Sequence, residues 1–107
     1  MGLVTQIRSN EDLEEQLNAA GIMLVVIQFF AKWSGPCKEV TPKIEQMSSE
    51  YADSLFLKID VDECEQIAEE YKLSNLPAFV LIRATQVVRK YEGIDEAEIK
   101  QLIEQYK

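Results

Sequence analysis

The chemistry open to this chain is bounded by its two cysteines, Cys37 and Cys64, and by the absence of histidine among 107 residues. Without an imidazole, histidine triads, histidine general bases and most zinc sites are excluded. Two cysteines alone make a poor metal site, and they form no disulfide framework of the kind small secreted domains use. No cofactor site and no metal site are expected. Thiols, carboxylates, lysines and backbone groups remain. The densest arrangement of them is Trp33-Ser34-Gly35-Pro36-Cys37-Lys38. Gly35 and Pro36 break a strand and open a helix, which places Cys37 in a first helical turn. Unpaired N–H groups and the macrodipole favour a thiolate there, whereas burial opposes it and limits access. Ser34 stands where an N-cap belongs, and serine is among the preferred caps. Its hydroxyl cannot form a disulfide, and no histidine is present to activate it. Cys64 reads as a peripheral, semi-exposed thiol, available at most for an intermolecular disulfide.

Composition narrows the partners. A formal charge of -8 argues against nucleic acid, which rewards clustered Lys and Arg. The most apolar run, residues 22–31, is interrupted by Gln28 and falls well short of the roughly 20 apolar residues of a bilayer span. It therefore reads as a buried strand, and no membrane partner is expected. No basic, then apolar, leader opens the sequence, so a reducing, cytoplasmic location is the expectation. The length suits one domain over residues 1–107, with no room for two cores.

The elements that position the turn follow from periodicity. Residues 3–7 alternate as a first strand. Ser9 with Asp12 forms a capping-box start for a helix whose apolar face is Leu13, Leu17 and Ala20 and whose stop is Gly21. Met23 to Ala31 is a strand apolar on both faces, as in sheets covered by helices on each side. The helix after Gly35 turns Val40, Ile44 and Met47 inward, and Pro42 should bend it. Leu55 to Val61 is a third strand. Asp62 is expected to cap a third helix, supported by Glu65, with Ile67, Ala68 and Tyr71 facing inward. Ala78–Ile82 and Val87–Tyr91 are spaced as an antiparallel hairpin. Asp95 with Glu98 opens a last helix buried through Ile99, Leu102, Ile103 and Tyr106. This order implies an α/β fold with a central mixed five-stranded sheet flanked by four helices.

The W-x-G-P-C-K turn, the Leu76-Pro77 step before the hairpin and Gly93 after it together resemble the thioredoxin family across essentially the whole chain. Asn18-Ala19-Ala20-Gly21 and Asp60-Val61-Asp62-Glu63-Cys64 resemble its animal cytosolic members. The resemblance implies the thioredoxin fold and thiol–disulfide exchange with protein disulfides. It places Ser34 at the position of the attacking cysteine, WSGPC in place of WCGPC, and Cys37 at that of the resolving cysteine. Gln28 stands where the family has a buried aspartate that moves protons; the amide hydrogen-bonds but does not titrate. Lys58 matches a family lysine beside that acid. Trp33, Gly35, Pro36, Leu76, Pro77, Ala78 and Gly93 correspond to the rim of a substrate groove. There the bond before the matching proline is cis, and an extended peptide is bound by strand addition.

The resemblance thus implies a monothiol form, with Ser34 and Cys37 unable to complete the two-cysteine cycle and able at most to form mixed disulfides. Its partners would be protein substrates bound as extended peptide at the Trp33/Pro77 groove and a thioredoxin reductase. Two other readings stay open. One is a redox-inactive peptide-binding module on the same fold. The other is an engineered Cys-to-Ser trapping variant of an active thioredoxin.

Overall fold

The structure is a computed structural model that describes residues 4–107. It contains β1 (Val4–Ile7), α1 (Asn10–Ala20), β2 (Val25–Phe30), α2 (Gly35–Glu50), β3 (Leu55–Asp60), α3 (Glu65–Tyr71), β4 (Ala78–Arg83), β5 (Gln86–Glu92) and α4 (Glu96–Tyr106). The element order is the expected one. Leu3, the expected start of the first strand, lies outside the described residues. The central strand is shorter than expected, because Met23 N–H donates to the Ala20 carbonyl at 2.9 Å and closes a turn ahead of Val25.

The five strands form one mixed sheet in the order β1-β3-β2-β4-β5. β1, β3 and β2 run parallel, and β4 and β5 are antiparallel to their neighbours. Because β2 is central, both of its faces are covered, and alternate side chains enter two different cores. Val25, Ile27 and Phe29 pack with Leu13 and Ile67, which places α1 and α3 on one face. Leu24 and Val26 pack with Val40, Ile44, Met47, Ile99 and Ile103, which places α2 and α4 on the other.

Local chemistry fixes the helix ends. Ser9 Oγ accepts the Asp12 N–H at 3.1 Å, and Asp95 Oδ1 accepts the Glu98 N–H at 3.3 Å, so both expected caps form. Gly21 ends α1 at φ 58°, a conformation a side chain rarely adopts. The hairpin is tighter than a polar loop. Ala84 and Thr85 turn it at φ 51° and 62°, and non-glycine residues in that region cost roughly 1–3 kcal/mol each.

Candidate functional site

β2 and β3 are parallel neighbours, so their carboxyl ends open side by side at one edge of the sheet, where α/β folds place their crevices. From β2 the chain enters the Trp33–Cys37 turn. Ser34 is extended at φ -87° and ψ 119°, and its Oγ accepts the Cys37 N–H at 3.4 Å. The serine is therefore the N-cap of α2, as its type suggests, with Pro36 in the first turn. Ser34 N–H donates to the Ala31 carbonyl at 3.1 Å, which fixes the turn from the strand side.

Trp33 is 72% exposed. Its indole N–H donates to Asp62 Oδ2 at 3.0 Å, tying this turn to the β3–α3 connection. Asp62 is itself held, because its N–H donates to Oδ1 of the buried Asp60 at 2.9 Å. This corrects the expectation that Asp62 caps the third helix. The cap position belongs to Cys64, without a side-chain hydrogen bond, and the Asp62 carboxylate serves Trp33 instead.

Cys37 is 2% exposed and lines a small cavity of about 340 Å³ with Phe30, Thr41 and Pro42. Its carbonyl accepts Thr41 Oγ1–H at 2.8 Å, and Thr41 Oγ1 accepts from Gln28 Nε2 at 3.2 Å. Gln28 is thus a satisfied buried amide, 2% exposed, that braces the first turns of α2 from the sheet. Pro42 has no N–H to give the Lys38 carbonyl four residues back, so α2, continuous from Gly35 to Glu50, lacks that one hydrogen bond just beyond the cysteine. Lys58 lies opposite Gln28 in the sheet register, half-buried, with Nζ 6.0 Å from the centre of the Phe30 ring.

On the other side of the turn runs an open groove of about 820 Å³. Trp33, Ser34, Gly35 and Pro36 form one wall, Leu73 and Leu76 the far end, and Val61 and Ala68 with Glu65 and Glu69 of α3 the side. The Leu76–Pro77 peptide bond is cis. Pro77 and Ala78 are buried rather than lining the groove; Ala78 opens β4 and packs in the α1/α3 core. Gly93 N–H donates to the Pro77 carbonyl at 3.2 Å. At φ 151° Gly93 also leaves no room for a Cβ, which would lie 2.7 Å from the Tyr91 hydroxyl oxygen. The groove therefore brings together Trp33, Ser34, Gly35, Pro36 and Leu76, while Cys37, Pro77, Ala78 and Gly93 do not line it.

Cys64 is not a peripheral thiol. It is 7% exposed, part of the α1/α3 core, with Sγ 3.8 Å from the Ile7 carbonyl that accepts its S–H. Burial first, then the carboxylates of Glu63 and Asp60, push its thiol above the ordinary value of 9.0. Such a group stays protonated and inert.

Sequence reasoning missed Asp62, Thr41 and the α3 wall of Glu65, Ala68 and Glu69. Asp62 and Trp33 are joined across 29 positions, and no periodicity reports such a contact. Among the described residues no cluster of three His, Cys, Asp or Glu could hold a metal ion, and no helix is long and apolar enough to cross a membrane.

The thioredoxin family model matches residues 4–105. The chain is 38% identical over 105 residues to thioredoxin-T of Drosophila melanogaster, covering 97% of this chain and 67% of that protein. It is 39% identical over 101 residues to thioredoxin-2 of Saccharomyces cerevisiae, covering 94% and 96%. Among solved structures, Fasciola hepatica thioredoxin superposes with a TM-score of 0.94 at 33% identity, covering 96% of this chain and 99% of that one.

Proposed function

The chain belongs to the thioredoxin family, and from that premise we propose that it engages protein disulfides as a one-thiol member. A client lies extended in the groove between Trp33 and the Leu76–Pro77 step, and Cys37 supplies the only sulfur of the turn. The Cys37 thiolate attacks one client sulfur. A Cys37–client S–S bond forms, the client S–S bond breaks, and the other client sulfur leaves as a thiolate that takes a proton from water. Ser34 has no sulfur with which to resolve that mixed disulfide, so release needs a thiol from outside the chain. Protein clients and a thioredoxin reductase are the partners this reading assigns, in a reducing, cytoplasmic setting.

The observation that carries the proposal is the capped turn: Ser34 Oγ on the Cys37 N–H, with Ser34 facing the groove and the sulfur one helical turn behind it. The experiment is reduction of insulin disulfides driven by dithiothreitol. Little turnover is expected as the chain stands. Ser34→Cys restores a second sulfur to the same turn and should raise the rate sharply. No gain would contradict the assignment of this turn as a redox site.

The burial of Cys37 favours a second reading, a binding module that keeps the groove without exchange. Pull-downs separate the two. Partners that persist after reductant is added support the module, and loss of every partner under reductant supports mixed disulfides.

A further inference from the structure

The charges around the groove are lopsided. Glu65 and Glu69 lie four residues apart on one face of α3, both exposed, and both line the groove. Among the described residues neither makes an ion pair. Like charges at that spacing repel along the helix, so this wall already carries a small destabilisation that a cation from outside would relieve. Asp62 lies outside the lining, and its carboxylate already accepts the Trp33 indole N–H. Against the two glutamates stands Lys72, the only cation in the lining. Of the cations beyond Trp33, Arg8 and Lys32 are both engaged with Glu63, at 3.7 and 3.4 Å, and Lys38 stands at the separate cavity beside Cys37 rather than in the groove. Ser34, Ser74 and Asn75 are the neutral polar residues of the lining, and Trp33, Pro36, Val61, Ala68, Leu73 and Leu76 give it an apolar floor.

We propose that the preferred occupant of this groove is an extended segment with an apolar middle and a lysine or arginine at its flank, which meets Glu65 and Glu69. The proposal rests on the reading of the groove as a peptide site and names the class of peptide. The charged wall selects and steers; the apolar floor supplies contact area.

The test uses three blocked ten-residue peptides without cysteine. They share an alternating Val/Thr middle and carry two Lys, two Gln or two Glu at each end. Trp33 is the only tryptophan in the chain, so its fluorescence reports occupancy of the groove directly. At low ionic strength the Lys peptide should bind about fivefold tighter than the Gln peptide, with the Glu peptide weakest. The spread should shrink as salt is raised through a few tenths molar. In the double variant Glu65→Gln/Glu69→Gln, whose changes are isosteric and exposed, the three peptides should bind alike. Equal binding to the wild-type chain, or a preference that survives in the double variant, overturns the charge assignment and leaves the groove reading intact. Tighter binding of the Glu peptide overturns it in favour of Lys72. Failure of all three to change Trp33 emission overturns the groove reading and the preference with it.

Discussion

Two strand-to-helix crossovers stand side by side at the carboxyl ends of β2 and β3, and each delivers a cysteine to the start of a helix. They are built to opposite ends. In the first, Ser34 caps the Cys37 N–H, the helix runs for 16 residues, and the turn turns Trp33 and Ser34 toward an open groove. In the second, Cys64 occupies the cap position without a side-chain bond, the helix has 7 residues, and the thiol sinks into the α1/α3 core. Both sulfurs are buried, Cys37 at 2% and Cys64 at 7% exposure, so a helix N-terminus does not by itself expose a thiol. What separates the two is the turn ahead of each helix: Gly35 and Pro36 are exposed and line the groove, whereas Cys64 opens its helix from within the core. The crossovers are also joined, since Asp62 of the second holds the indole of the first at 3.0 Å.

The contrast is broken most strongly at the level of activity. Ser34→Cys should raise dithiothreitol-driven insulin reduction by roughly tenfold or more, since it completes a pair of sulfurs in one turn. Cys64→Ala should leave that rate unchanged and cost about 1 kcal/mol of stability by urea unfolding, because it empties part of a core. A rate that followed Cys64 would erase the distinction.

Stability of the caps gives a smaller effect. Ser34→Ala should cost about 1 kcal/mol, since it orphans the Cys37 N–H in a buried turn, and Ser34→Asp should recover part of it. The bond between the crossovers is smaller still. Asp62→Ala should cost about 0.5–1 kcal/mol and, more tellingly, lower the fluorescence anisotropy of Trp33 by freeing its ring. Unchanged anisotropy would mean that the two crossovers are independent.

The smallest effect is a pH dependence. Because burial raises the Cys64 thiol above 9.0, the folded state prefers the protonated form. Its contribution is complete below the ordinary thiol value and is lost as pH rises through the folded value. Tyr71 and Tyr91 are also raised by burial and act in the same direction. Subtracting the profile of Cys64→Ala from that of the wild type isolates the cysteine, and the difference should fall above about pH 9. A flat difference would mean that Cys64 is not buried as described.

Much of this was legible in the sequence, for identifiable reasons. Val25, Ile27 and Phe29 alternate with Val26 and Gln28 in a run apolar on both faces, which dictates a covered central strand. The caps at Ser9 and Asp95 are local, so spacing alone finds them. The Trp33–Lys38 turn is contiguous and could be read whole. What escaped depends on contacts between distant segments. Asp62 looked like a helix cap, because nothing local shows that its carboxylate meets an indole 29 residues earlier. Cys64 looked peripheral because a helix start is usually exposed, whereas here β1 covers it through Ile7. The α3 wall of the groove was hidden for the same reason, since Glu65 read as support for an Asp62 cap and only the fold brings it, with Glu69, into one groove with Leu73 and Leu76.

The central claim is that one of two buried sulfurs, Cys37, is the one a client disulfide reaches. The most direct measurement is mass spectrometry of the folded, reduced chain after incubation with a peptide disulfide. The account predicts a mixed disulfide on Cys37 with Cys64 unmodified, and an adduct on Cys64 alone, or none at all, would contradict it.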